Sequence, residues 1–198
     1  MNLKKRLQKV NLRFLFVIIV AIALIYLSEP RFPYTKSGIF YLPFFIIGLI
    51  LIIFGEIIRI WATGHLEKNK NLTTSGPYAY IKNPMYAGSF IILIGFNMIA
   101  INPYLPFIIL VELVAFLFVY IPTKRKIEST RLLEKFGDAY ADYDKNVPDY
   151  IPRRLKPYQS ATPKSWTWQV FWENQEVQVA FAVLLGTAAI IMKFWIRY

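Results

Sequence analysis

Residues 76–88 read Gly-Pro-Tyr-Ala-Tyr-Ile-Lys-Asn-Pro-Met-Tyr-Ala-Gly, a run dense in groups that can hold a small molecule. Tyr78, Tyr80 and Tyr86 each offer a flat face and a hydroxyl, and Asn83 both donates and accepts hydrogen bonds. Pro77 and Pro84 fix one backbone angle each, and Gly76 and Gly88 leave the backbone bare at either end. A second polar stretch, residues 124–152, brings Lys124, Arg125 and Glu128, two cations and a carboxylate within one and a half helical turns. Arg59 and His65, just ahead of the first stretch, add a fixed cation and a side chain that titrates near neutral pH. A pocket could be built from both stretches. The first stretch could equally be a rigid connector whose tyrosines sit at a membrane interface.

Several chemistries have no residues to carry them. The chain has no cysteine, so disulfides, thiolate metal sites and cysteine nucleophiles are excluded, and its one histidine, His65, leaves a histidine-built metal site short of ligands. Neither a dinucleotide-binding nor a P-loop glycine pattern occurs, nor a serine nucleophile elbow.

Composition sets the surroundings. Of 198 residues 56% are hydrophobic, 17% aromatic and only 18% charged, the profile of a helical membrane protein. The net charge of +11 does not indicate a nucleic-acid partner, because the basic residues cluster beside apolar spans where anionic headgroups lie. A basic start precedes an uncharged run over residues 14–28, expected to be a retained first span; a second span begins near Gly38 and continues into Glu56 and Arg59, which share a helical face and can pair.

The apolar region after Gly88 must turn back. A straight helix over residues 87–123 would run about 55 Å, against a hydrocarbon core of about 30 Å. Asn102-Pro103 is the expected turn, Pro106 stands just inside the returning helix, and Glu112 should face protein rather than lipid. Beyond the basic cluster Lys124-Arg125-Lys126, apolar residues at Leu132, Leu133, Phe136, Tyr140 and Tyr143 follow helical spacing, with Phe136-Gly137 as a break and Val147-Pro148 as the end. Trp166, Trp168 and Trp172 mark an interfacial segment, and a fifth span covers residues 177–192. The expectation is an all-α integral membrane bundle of about five transmembrane helices including one hairpin, with a pocket at its cytoplasmic face that the resemblance below assigns to a cofactor. Its parts are a first span and loop (1–37), a core (38–155) and an interfacial segment with the C-terminal span (156–198). Folding the hairpin brings the two polar stretches together.

Those two stretches resemble the paired signatures of the isoprenylcysteine carboxyl methyltransferase and phospholipid methyltransferase family. The first is carried by Gly76-Pro77-Tyr78, Asn83-Pro84-Met85-Tyr86 and Gly88; the second by Glu128, Leu132, Phe136-Gly137, Tyr140, Tyr143 and Val147-Pro148. The resemblance spans roughly residues 40–155 and implies methyl transfer from S-adenosylmethionine to a lipophilic or small amphiphilic acceptor, with membrane lipids around it and no metal. It assigns the cofactor to Gly76, Pro77, Tyr78, Tyr80, Asn83, Pro84, Tyr86, Gly88 and Glu128. Catalysis falls to Lys124, Arg125 and Glu128, and the acceptor to Arg59 and His65. Asn83 and Ser129 depart from the family pattern, which often has a histidine and a second acid there; Asn83 cannot change charge near neutral pH.

Blander roles compete at each position. Glu128 could pair with Lys124, Lys126 or Arg131 on a solvated helix face, Arg125 could anchor to anionic lipid, and His65 could cap or face the interface. Two other functions also fit parts of the pattern: a nicotinamide-dependent membrane reductase of the steroid reductase type, and a lipid-binding scaffold that kept the fold. On charge, all of the 23 lysines and arginines except Arg31, Lys36, Lys193 and Arg197 fall on one side of the five-span arrangement. The positive-inside rule then puts the N-terminus and both polar stretches in the cytoplasm and the C-terminus outside. Single cysteines placed at Ser75 and Ser129 are therefore expected to react with an impermeant thiol reagent only from the cytoplasmic face, and reaction of either from outside contradicts this orientation.

Overall fold

The computed structural model describes residues 38–67, 70–100, 105–153, 156–159, 164–174 and 176–196. The expected first span and the Asn102-Pro103 turn lie outside the described residues. Among those described, the regular structure is helical: α1 (Gly38–His65), a 3-10 turn (Gly76–Ala79), α2 (Pro84–Ala100), α3 (Leu105–Val114), a π-helical segment (Ala115–Tyr120), α4 (Ile121–Asn146), α5 (Trp168–Glu173) and α6 (Glu176–Ile196).

Two helical stretches, Leu42–His65 and Pro106–Asn146, are long and apolar enough to cross a bilayer, and Pro84–Ala100 and Glu176–Met192 are shorter apolar helices. Their outer faces carry the large apolar side chains. Ile50, Ile53, Phe54 and Ile57 of α1, Phe107 and Leu110 of α3, Phe118, and Leu184 of α6 are all exposed, as lipid-facing residues are in a membrane bundle.

Lipid gives helices no hydrophobic reason to associate, so they pair where their backbones can approach. α1 and α2 do so through glycines one heptad apart. A Cβ on Gly55 would lie 2.7 Å from the Gly88 carbonyl oxygen, and one on Gly48 would lie 2.9 Å from that of Gly95; the reverse approaches, Gly88 to Gly55 and Gly95 to Gly48, are both 2.7 Å. Around this seam Ile52, Ile92, Phe96, Ile99 and Ala100 bury against Val179, Val183 and Ile190 of α6. On the other face of α2, Phe90 stacks on Phe116 at 4.3 Å, and Phe116 on Tyr120 at 5.5 Å. Glu112 meets protein as expected: the Asn97 amide donates to both its oxygens, at 2.8 and 2.7 Å, tying α3 back to α2.

The C-terminal segment closes the end of α1. Helix ends leave carbonyls without partners; here Asn174 donates to the Thr63 and Leu66 carbonyls, Trp166 to that of Ile60, and the Thr167 amide to that of Gly64. Glu176, buried at the start of α6, forms an ion pair with Arg59. Arg59 also stands 3.7 Å from Glu56, the pair expected from the sequence.

The returning helix does not stop at the basic cluster. It runs unbroken from α3 through the π-helical segment into α4, and its break comes at Gly137, whose φ of 50° and ψ of −128° are non-helical. L-residues avoid that region, so glycine is required there. The kink folds Tyr140 back until its hydroxyl reaches Ser129 at 3.1 Å. α4 then ends at Asn146, directly before Val147-Pro148.

Because a Cβ on Gly55 would meet the Gly88 carbonyl as well as the Ile92 side chain, both at 2.7 Å, and the backbone atom cannot swing aside, Gly55→Ala is expected to destabilise the protein by about 1–3 kcal/mol, the usual cost of overpacking. Melting curves in detergent check this; an unchanged midpoint contradicts the seam.

Candidate functional site

Residues 76–88 are docked onto the segment after the Gly137 kink by backbone pairing. The Lys82 amide donates to the Pro148 carbonyl at 2.8 Å, the Asn83 amide to that of Asp149 at 3.0 Å, and the Tyr158 amide to that of Ala79 at 2.9 Å. The Tyr143 hydroxyl adds a buried bond of 2.7 Å to the Tyr78 carbonyl. Ionic contacts lock the same junction. The Lys82 side chain, only 7% exposed, holds Asp144 at 2.5 Å and Asp149 at 3.0 Å.

Between the first stretch and α4 lies a cavity of about 420 Å³. Tyr78, Lys82, Asn83, Pro84, Met85 and Tyr86 form one wall, and Arg125, Glu128, Ser129, Arg131, Leu132, Lys135 and Phe136 another; Tyr140, Tyr143 and Asp149 close the end, and Leu66, Glu67, Asn71, Leu72 and Thr73 the remaining side. The walls mix aromatic faces, aliphatic patches, carboxylates and cations, so the cavity can take a molecule with an aromatic ring and charges of both signs. Its size falls in the usual range for small-molecule sites, about 300–1,000 Å³.

Glu128 is turned to the first stretch: it accepts from the Tyr86 hydroxyl at 2.5 Å. Tyr86 in turn packs edge-on to Tyr120 at 5.3 Å, so the carboxylate is aimed by a chain of rings reaching into the hairpin. Arg125, 57% exposed, meets Asp149 at 3.5 Å. Glu67 accepts from Lys164 and, at 2.6 Å, from Asn71; the Lys164 hydrogen bond is the chief cause of a carboxyl pKa below the usual value. Beside the cavity, burial, reinforced by Asp149, pushes the Tyr150 hydroxyl well up, so it stays protonated and able to donate.

The sequence-expected site residues therefore divide. Tyr78, Asn83, Pro84, Tyr86, Arg125 and Glu128 share the cavity wall. The side chain of Lys124 lies outside the described residues. Tyr80 is absent from the wall and packs on Trp61 at 6.5 Å. Gly88 belongs to the α1–α2 seam, where a Cβ would meet the Gly55 carbonyl and the Arg59 side chain. Gly76, at φ +60°, turns the chain against the His65 ring, and Pro77 is buried within the 3-10 turn. His65 itself is buried, with Nδ1 3.3 Å from the Ser75 hydroxyl, and lines a smaller cavity with Glu67 and Lys164. Arg59 is buried in the frame: besides Glu176 it contacts Ser89, and it donates to the Met85 carbonyl at 3.3 Å. Its hold on Met85 and Ser89 fixes the start of α2, next to the wall residues Pro84, Met85 and Tyr86.

Sequence reasoning passed over Lys82, Ser129 as a contact of Tyr140, and Asp149. Lys82 stands between two signature positions in a run already singled out, and that location was the available signal. Nothing local to Asp149 announces that it faces Lys82. Among the described residues no group of three or more histidines, aspartates or glutamates is arranged to hold a metal ion.

The phospholipid methyltransferase family model matches residues 43–139, which run from α1 through the cavity to the Gly137 kink. A protein-S-isoprenylcysteine O-methyltransferase of Xenopus laevis is 30% identical over 119 residues, covering 54% of this chain and 40% of that protein. The one from Tribolium castaneum is 34% identical over 119 residues, 54% of this chain and 41% of its own length. The cobalt-zinc-cadmium resistance protein CzcN of Cupriavidus metallidurans is 26% identical over 151 residues, 75% of this chain and 65% of that protein. The chain thus spans well under half the length of the isoprenylcysteine relatives it matches. No solved structure matches the chain.

Proposed function

We propose that this chain, similar over residues 43–139 to the phospholipid methyltransferase family and over about half its length to isoprenylcysteine O-methyltransferases, is an integral membrane methyltransferase of that family. Its donor would be S-adenosylmethionine and its acceptor a lipophilic or small amphiphilic molecule. The observation that carries the reading is the cavity, which unites both signatures and sets the Glu128 carboxylate against Tyr86.

The residues present suit the donor. Glu128 offers a carboxylate to an amino or hydroxyl group, a charge-assisted bond when the partner is ammonium. Tyr78 and Tyr86 offer ring faces to adenine or to the sulfonium cation. Asn83 and the backbone of the 3-10 turn supply neutral donors and acceptors. When bound there, S-adenosylmethionine supplies an electrophilic methyl group.

The chain's own task is then position and exclusion of water, because methyl transfer needs an in-line approach of nucleophile to methyl and no covalent enzyme intermediate. Arg125 at the wall would hold an anionic group of the acceptor, since its planar guanidinium fits carboxylate or phosphate. An apolar acceptor would reach the cavity from between the spans. In this reading Arg59, His65, Gly76, Pro77, Tyr80 and Gly88 serve the site by fixing the loop and helices that form it. The reductase and scaffold alternatives have no support from the family match.

If Glu128 holds the donor, Glu128→Gln keeps the shape but removes the charge. Losing a charge-assisted bond is worth about 1.5–3 kcal/mol, so S-adenosylmethionine affinity is expected to fall about ten- to hundredfold. The melting temperature should change little, because a partly exposed polar contact contributes only about 0–1 kcal/mol. Titrating the cofactor against both proteins in detergent, beside their melting curves, decides: equal affinities with an altered melting point would make Glu128 a structural residue.

A further inference from the structure

We propose that Asp149 is a positioning residue for Arg125, fixing its guanidinium at the cavity wall where the anionic group of the acceptor arrives. The inference rests on the methyltransferase reading above and adds to it a residue that lies outside both signatures and beyond the matched residues 43–139.

The geometry is a relay of alternating charge. Lys82 Nζ lies 3.0 Å from one Asp149 oxygen, and Arg125 Nη1 lies 3.5 Å from the other. The buried end is rigid. Lys82 is 7% exposed and is held also by Asp144, while the Asp149 carbonyl accepts from the Asn83 amide at 3.0 Å. The outer end is the opposite: Arg125 is 57% exposed on α4, and a long exposed side chain samples many rotamers. Asp149 links the two ends. It transmits the fixed position of Lys82 to the guanidinium, and since Lys82, Arg125 and Asp149 all line the cavity, the orientation is delivered where a ligand sits. A bound anion can use the face of the guanidinium fork that Asp149 leaves open, as the fork carries five donors.

Simple electrostatics gives the opposite sign, which makes the idea testable. Removing a negative charge beside an anion site should strengthen anion binding. Loss of positioning should weaken it, because the guanidinium must then be ordered when the ligand binds.

The test uses the full chain in detergent. S-adenosylmethionine binding is measured first, and two probes are then titrated with the site saturated by S-adenosylhomocysteine, which has no methyl group to transfer. The probes are N-acetyl-S-farnesylcysteine, an amphiphilic carboxylate, and its uncharged primary amide. Asp149→Asn is expected to weaken the carboxylate probe about tenfold and leave the amide within about twofold, since a charge-assisted contact is lost to one probe only. Asp149→Glu should recover part of the carboxylate affinity. Tyr158→Phe, which removes the hydroxyl bond to Asp142 at the same junction while leaving Lys82, Asp149 and Arg125 untouched, should alter neither probe and thereby shows that general loosening of the junction is not the cause. Unchanged or tighter carboxylate binding by Asp149→Asn overturns the proposal, as does equal weakening of both probes. A wild type that binds S-adenosylmethionine yet prefers neither probe also overturns it, leaving the methyltransferase reading in place. A wild type that does not bind S-adenosylmethionine defeats that reading itself.

Discussion

A lysine ammonium held at 7% exposure between two aspartates joins the two sides of the candidate site. Lys82 belongs to the loop between α1 and α2; Asp144 and Asp149 belong to the far side of the hairpin, beyond the Gly137 kink. A buried charge without partners is strongly destabilising, so this lysine can be accommodated only when the second stretch has folded back over the first. The cavity exists between them as a consequence. Three backbone bonds and the Tyr143–Tyr78 contact follow the same junction and share its register.

The frame beneath answers a different problem. In lipid, helices gain little from hiding apolar surface from one another, so close backbone approach and polar contacts must hold the bundle. Gly48 and Gly55 opposite Gly95 and Gly88 bring α1 and α2 together, and the Arg59–Glu176 pair brings in α6. Arg59 links frame and site, because it bonds to the Met85 carbonyl and Ser89 in the first turns of α2. The C-terminal segment, which lies beyond the family match, thus completes the scaffold by closing the end of α1 and pairing with its arginine.

Much of the fold was legible in the sequence because its causes are local. The length of the apolar run dictated a turn-back, Pro106 marked the start of the returning helix, and Phe136-Gly137 and Val147-Pro148 marked its kink and its end. Glu56 and Arg59 could be paired because they share a helical face. The partners that were missed are remote in sequence. Glu176 is 117 residues from Arg59, and Asp144 is 62 from Lys82. No periodicity connects such positions. The site residues show the same division. Tyr78, Asn83, Tyr86, Arg125 and Glu128 line the cavity, whereas Tyr80, Gly76 and Gly88 in the same stretch as the first three lean on Trp61, His65 and α1. A motif read as letters does not reveal which of its members face inward. The alternation of facing is set by the 3-10 turn and by the glycine seam, both of which become visible only in three dimensions.

Ultraviolet cross-linking of radiolabelled S-adenosylmethionine to the full chain in native membranes, followed by peptide mapping, tests the central claim most directly. The account predicts that label falls within residues 78–86 or 125–136, the two walls of the cavity, and that excess unlabelled S-adenosylmethionine prevents it. Competable label confined to α6 or to the outer faces of α1 and α3 would contradict the account.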